Sequence, residues 1–204
     1  MTLIVATQNE GKVREFKRIF APLGIIVLSS SDIELNVDVQ ENGSTFAENA
    51  KIKAKTIMQL CALPTIADDS GLCVDALDGA PGMFSARYAG EGATDDQRID
   101  KLLSELRDVP DEKRTAYFVS SICCCFPNGD EITAEGICAG KIGTEKRGEN
   151  GFGYDPVFMT EYGSFSEISA EQKDEISHRG KALREFYEKL KEYKENRGNE
   201  IVNE

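Results

Sequence analysis

The sequence predicts an α/β fold built on a mixed sheet, and three observations carry that prediction. Short apolar runs of strand length alternate with longer segments whose apolar residues recur at helical spacing. Helix-start signatures stand at Thr45-x-x-Glu48, Thr94-x-x-Gln97 and Ser169-x-x-Gln172. A turn at Pro127-Asn128-Gly129-Asp130 joins two β-rich stretches, which calls for antiparallel pairing and disfavours a purely doubly wound sheet.

In chain order, Leu3 to Ala6 is a short buried-strand candidate, the polar loop Thr7 to Gly11 follows, and Val13, Phe16, Ile19 and Phe20 mark a helix. Ile25 to Leu28 is a second strand candidate. The helix that starts after Thr45 carries Phe46, Ala50, Ala54, Ile57, Met58 and Cys61 on one stripe. Asn49 and Lys53 share another, so Lys53 is expected to project away from the core. Pro64 closes that segment. Thr65 to Ala67 and Leu72 to Leu77 then read as two short strands separated by a turn, Asp68-Asp69-Ser70-Gly71. After the loop Asp78 to Gly82, the helix behind Thr94 carries Ile99, Leu102, Leu103 and Leu106. Ala116 to Phe126 and Glu131 to Ala139 form the hairpin. A glycine-rich loop, Gly148 to Asp155, precedes the apolar run Pro156 to Met159, and a last helix after Ser177 carries Ala182, Leu183, Phe186, Leu190 and Tyr193. The final stretch, 197–204, reads as a polar tail.

With 204 residues, 40% hydrophobic and 29% charged, the composition is that of a globular chain. Its net charge of −12 repels a phosphate backbone, which argues against polymeric nucleic acid as a partner. A small anionic ligand stays open, because a few lysines or a divalent cation reverse the potential inside one site. No apolar run reaches the roughly 18–20 residues that cross a bilayer, so no membrane partner is expected. The polar residues Thr7, Gln8 and Asn9 interrupt the first apolar run too early for a secretory signal, so a cytoplasmic location is expected. The six cysteines then read as reduced, buried thiols.

Three groups of residues suit chemistry. The segment Ala6 to Lys12 lies where a strand gives way to a helix, a place where backbone N–H groups bind phosphate. It is no Walker A loop, since Ala6 stands at the first glycine position and Val13 follows Lys12. Taken alone, an ordinary connecting loop with a solvated lysine explains it as well. Glu41, Asp68 and Asp69 are the acids that stand out. Two adjacent carboxylates between buried segments repel each other unless a cation or donor is near, and Mg²⁺ is the simplest such partner. Turn capping by one of the two aspartates is the plainer alternative. Ser177-His178-Arg179, with Lys173 before it, offers mainly hydrogen-bond donors at a helix start. No nucleophile elbow accompanies His178. Phe152 and Tyr154 suit stacking on a flat ligand or simple core filling.

Taken together, Thr7-Gln8-Asn9-x-x-Lys12, Thr45-Phe46-x-Glu48-Asn49-Ala50, Ala67-Asp68-Asp69-Ser70-Gly71, Gly79-Ala80-Pro81-Gly82 with Ser85-Ala86-Arg87-Tyr88, Gly151-Phe152-Gly153-Tyr154-Asp155-Pro156 and Ser177-His178-Arg179-Gly180 resemble the inosine triphosphate pyrophosphatase family. The resemblance runs in order from about Leu3 to Leu190. It implies one α/β catalytic domain over 1–196, with two lobes flanking a long mixed β-sheet and a cleft between them. It also implies a homodimer, a Mg²⁺ cofactor, and hydrolysis of ITP, dITP and XTP to the monophosphate and pyrophosphate.

By the same resemblance, Thr7, Gln8, Asn9, Glu10, Gly11 and Lys12 form the phosphate loop, joined by Lys53. Glu41 and Asp69 hold the metal, Asp69 also accepts the proton of the attacking water, and Ser70 touches substrate. Phe152, Gly153, Tyr154 and Asp155 pack on the purine, and Lys173, His178 and Arg179 recognise it. Gln8 departs from the family, which often has glycine there. A catalytically silent nucleotide-binding regulatory module is the alternative function, one that intact Glu41 and Asp69 argue against.

Overall fold

The computed structural model describes the backbone of residues 1–202 and the side chains of residues 1–197. Seven strands form one sheet in the order β2-β1-β3-β4-β5-β6-β7. They are β1 Thr2–Val5, β2 Ile26–Ser29, β3 Thr65–Val74, β4 Thr115–Cys125, β5 Glu131–Ile142, β6 Phe158–Thr160 and β7 Gly163–Ser164. The helices are α1 Glu10–Phe20, α2 Phe46–Cys61, α3 Asp95–Glu105, α4 Ala170–Ile176 and α5 His178–Val202. β1 runs parallel to β2 and β3, while β5 and β6 are antiparallel, so the expected α/β class and mixed sheet are borne out.

The chain divides into two units. The first comprises Met1–Asp69, Ser121–Gly136 and Gly180–Glu204, and the second Ser70–Ser120 and Ile137–Arg179. Each has its own apolar core. In the first unit, Leu3, Val5, Phe16 and Phe20 gather with Ile122, Phe126, Phe186 and Leu190, and a further cluster joins Ile4, Ala50, Ala54, Ile57 and Ala67 to Cys123 and Cys125. In the second, Leu72 and Val74 pack with Ile99, Leu102, Phe118, Phe158 and Phe165. Alternation along β4 explains how Cys124 enters one core of the first unit while Cys123 and Cys125 enter the other. All six cysteines are free thiols, five of them buried and Cys61 half-buried.

Local chemistry sets the helix starts. Thr94 with Gln97 and Ser169 with Gln172 form complete capping boxes. At α2 the pattern is half filled: Thr45 Oγ1 accepts from Glu48 N, but the Glu48 carboxylate turns back to the amide and hydroxyl of Ser44. Asp32 docks the end of β2 onto α1, accepting from Ser29 N at 2.8 Å and from Lys17 Nζ at 3.0 Å. The Ser29 amide, then the Lys17 ammonium, hold its carboxyl down at about 2. A depressed folded value means that its contribution to stability is complete above the unfolded value of about 4. It is lost as pH falls from there through 2. An NMR titration of the Asp32 carboxyl should show that low midpoint, and a midpoint near 4 would refute it.

One expectation is corrected: the pair of short strands around Asp68-Asp69-Ser70-Gly71 is one continuous strand, β3, and no turn interrupts it. Of the polar tail expected over 197–204, residues 197–202 continue α5, and 203–204 lie outside the described residues. Among the described residues no helix is long and apolar enough to cross a membrane.

Candidate functional site

The candidate residues fall into two clusters, one within each unit. In the first unit, β3 places Asp68 and Asp69 on consecutive residues of a strand, so their side chains leave opposite faces. Each meets its own lysine. Lys12 Nζ lies 2.8 Å from Asp68 Oδ2 and donates to the Asp68 carbonyl at 3.3 Å. Lys53 Nζ lies 2.7 Å from Asp69 Oδ1 and 3.1 Å from Glu41 Oε1. Repulsion between neighbouring acids, which a turn would have concentrated, is relieved by geometry and by these cations.

Lys53 leaves the apolar stripe of α2, as expected, without reaching solvent. It is 9% exposed, on the same face of α2 as buried Asn49, and aimed into a polar site next to the core. Burial pushes the Asp69 carboxyl above its ordinary value, against the pull of Lys53 and Lys12. Burial works against the Lys53 charge, but Asp69, Glu41 and Asp68 outweigh it and the ammonium is held above its ordinary value. The ion pair is thus firmly charged on the lysine side.

The phosphate-loop candidates lie at the start of α1. Asn9 is the N-cap, its Oδ1 accepting from Lys12 N at 3.1 Å, and Thr7 Oγ1 accepts from Asn9 N at 3.2 Å. Both side chains shape the loop, and Lys12 begins close to the acids because the cap holds it there. Gly11 is buried, Gln8 is exposed, and Glu10 is exposed beside Arg14.

The second unit brings together Phe152, Asp155, Lys173 and Arg179. Asp155 Oδ2 accepts from Phe152 N at 2.9 Å and from Lys173 Nζ at 2.5 Å. Lys173 Nζ stands 4.7 Å from the centre of the half-buried Phe152 ring, and Arg179 Cζ stands 5.8 Å from it. Arg179 Nη2 also donates to Ser70 Oγ at 2.9 Å. His178 stacks on Phe118, ring centres 4.6 Å apart and planes 12° apart. Gly151 has φ +81°, and a Cβ there would stand 2.1 Å from Asp155 Oδ2, so glycine alone lets the loop close on that carboxylate.

Tyr154 lies elsewhere. It is buried in the second unit's core with its hydroxyl donating to the Ser85 carbonyl at 3.0 Å, so its ring fills the core and anchors the loop there. Gly153 N donates to Asp95 Oδ2 at 2.7 Å, and Asp95 in turn pairs with Arg98. Neither Asp95 nor Asn49 stands among the site residues expected from the sequence. Asp95 carried no signal beyond following a capping threonine, whereas Asn49 stood one helical turn before Lys53.

Glu41 Oε1 and Asp69 Oδ1 both lie within about 3 Å of one cationic atom. Two converging carboxylate oxygens, with water and phosphate oxygens to complete the shell, are the donor set that Mg²⁺ takes. Carboxylate oxygens of this kind suit a divalent cation, and here both face Lys53 Nζ. Among the described residues no cluster of three or more His, Cys, Asp or Glu side chains gathers to hold a metal by itself.

Comparison with known proteins gives a consistent result. A family model described as the Ham1 family matches residues 3–189. The chain is 46% identical over 195 residues to a dITP/XTP pyrophosphatase of Bacillus cereus, spanning 94% of this chain and 95% of that one. It is 49% identical over 192 residues to a dITP/XTP pyrophosphatase of Geobacillus kaustophilus, spanning 93% and 94%. The solved structure of the Staphylococcus aureus Ham1 protein matches with a TM-score of 0.82 at 39% identity, covering 95% of this chain and 100% of that one. The chain belongs to the Ham1 family, which bears out the resemblance read from its motifs.

Proposed function

We propose that this chain hydrolyses the non-standard purine nucleoside triphosphates ITP, dITP and XTP to the monophosphate and pyrophosphate, clearing them from the nucleotide pool. The observation that carries the reading is the convergence of Glu41 and Asp69 on Lys53, with Lys12 on the adjacent Asp68. The relatives named dITP/XTP pyrophosphatase support the substrate class.

Cutting between the α- and β-phosphates needs an activated water, a held polyphosphate and neutralisation of developing charge. Asp69 takes the proton of the attacking water, and Lys12 and Lys53 neutralise phosphate oxygens, with the capped loop from Thr7 to Lys12 presenting backbone N–H groups. A Mg²⁺ ion held by Glu41 and Asp69 would supply Lewis-acid charge at those oxygens. Phe152 offers a face to the purine, flanked by the Lys173 and Arg179 cations. Asp155, Gly153 and Tyr154 hold that loop in place, and Ser70 fixes the Arg179 guanidinium. Donors from His178 or Arg179 suit a 6-oxo purine. Adenine carries an amino group there and would leave them unpaired.

Phosphate detection with and without added inorganic pyrophosphatase tests the reaction. Signal only with the coupling enzyme means pyrophosphate release. Direct orthophosphate, or tight ITP binding with no turnover under any divalent ion, would overturn the proposal, the latter in favour of the silent regulatory module. His178→Ala should narrow the ITP-to-ATP preference while sparing phosphate binding. The full preference from such hydrogen bonding reaches roughly 10⁴-fold. His178→Phe, which keeps the stack on Phe118 and loses the ring N–H, should behave alike; unchanged selectivity in both removes His178 from recognition. The family resemblance also carries a homodimer, which light scattering tests, and six free thiols suit the cytoplasm.

A further inference from the structure

Between Val39, half-buried against the first unit's core, and the start of α2, the chain that bears Glu41 has no regular structure. Two contacts tie it to buried groups, Glu41 to Lys53 at 3.1 Å and, two residues on, Gly43 to Asn49. Gly43 N donates at 2.8 Å to Asn49 Oδ1, and Asn49 is itself only 3% exposed. Because an amide N–H can only donate, this bond fixes which end of the Asn49 side chain is oxygen and turns its Nδ2 the other way. Nδ2 then lies 3.4 Å from Asp69 Oδ2, while the other Asp69 oxygen takes Lys53 at 2.7 Å. One carboxamide thus touches both the strap that carries Glu41 and the acid proposed to accept a proton.

The close approach is built into the sequence at position 43. A Cβ there would stand 2.7 Å from Asn49 Oδ1 and 2.7 Å from Glu48 Cβ, distances that side chains do not tolerate. Glycine is required here by space and not by a left-handed backbone. Asn49 also stands four residues before Lys53, so the helix delivers the carboxamide and the ammonium to one face.

We propose that Asn49 is a positioning residue for the hydrolysis, a bridge that sets the spacing between Glu41 and Asp69 and depends on Gly43. The inference rests on the pyrophosphatase reading and deepens it. Residues that orient metal-associated acids typically change activity by about 10–100-fold when removed.

The test combines pyrophosphate-release kinetics with amide hydrogen exchange on the full chain. Asn49→Ala should lower kcat about 10–100-fold at unchanged KM for ITP, and speed exchange at Gly43. Asn49→Asp keeps an acceptor for Gly43 N–H but sets a carboxylate against Asp69. It should preserve Gly43 protection and still lose kcat, and being isosteric it serves if the alanine variant does not fold. Gly43→Ala should lower kcat too, and combined with Asn49→Ala it should add little further, since both remove one link. Wild-type kcat in Asn49→Asp, unaltered Gly43 exchange in Asn49→Ala, or additive losses in the double variant would each overturn the bridge. Absence of pyrophosphate release from the unmutated chain would instead defeat the activity assigned above, and the exchange measurement would still report on the link.

Discussion

Asp69→Asn is expected to lower turnover by about 10²–10⁴-fold, the usual worth of a positioned proton acceptor, while the protein stays folded. The substitution keeps an oxygen for Lys53 Nζ, now 2.7 Å from Oδ1, and removes the charge and the basicity. Two electrostatic effects on folding oppose one another. Burial resists the ionised Asp69, so losing its charge relieves a cost; Lys53 loses one attraction but keeps Glu41 at 3.1 Å and the nearby Asp68. A melting curve close to that of the parent, together with ITP binding and pyrophosphate release slowed by that factor, is the expected combination. Parent-like turnover removes Asp69 from the chemistry, and a collapsed melting transition shows that its role was structural.

The largest expected loss of stability belongs to Arg114, a residue outside both clusters. It is 3% exposed, and its guanidinium donates to main-chain carbonyls: Ile142 at 3.0 Å, Leu106 at 2.8 Å, Gly143 at 2.8 Å and, more weakly, Val109 at 3.4 Å. A planar fork of five N–H donors can reach the end of α3 and the end of β5 together, which a single ammonium cannot. Truncation removes a donor from each of these carbonyls; Leu106 keeps the Val109 N–H at 3.0 Å, whereas a buried acceptor left unsatisfied costs about 1–3 kcal/mol. Arg114→Ala should therefore destabilise by about 3–5 kcal/mol, on the order of 10 °C in melting temperature for a chain of this size. Arg114→Lys should recover only part of it. Melting within about 2 °C of the parent would show that water replaces the lost donors and that the clamp contributes little.

Much of the fold was legible along the chain because helix caps and periodicity are local. Gln97 and Gln172 close their boxes on Thr94 and Ser169 three residues away, and Phe16 and Phe20 fall on one buried face of α1. Asp68-Asp69-Ser70-Gly71 misled for an equally physical reason. Asp, Ser and Gly favour turns when water or their own backbone satisfies them. Here Lys12, 56 residues before Asp68, and Lys53, 16 residues before Asp69, satisfy the acids inside a strand. Helical spacing likewise sets Lys53 off the apolar stripe of α2, but that spacing is the same for a solvated face and for a polar site lined by acids.

What the sequence determined by itself is the set of parts: an α/β chain, its caps and hairpin, a family, and a group of acids, lysines and ring-bearing residues suited to a purine triphosphate. Tertiary structure alone decided which of them meet. Contacts such as Glu41 with Lys53, Asn49 with both Gly43 and Asp69, and Tyr154 with Ser85 join positions whose separation along the chain carries no local signal. Pairing at that range is settled by strand alternation, helix phase and the cost of leaving a buried charge or donor without a partner, and these act only once the chain has packed.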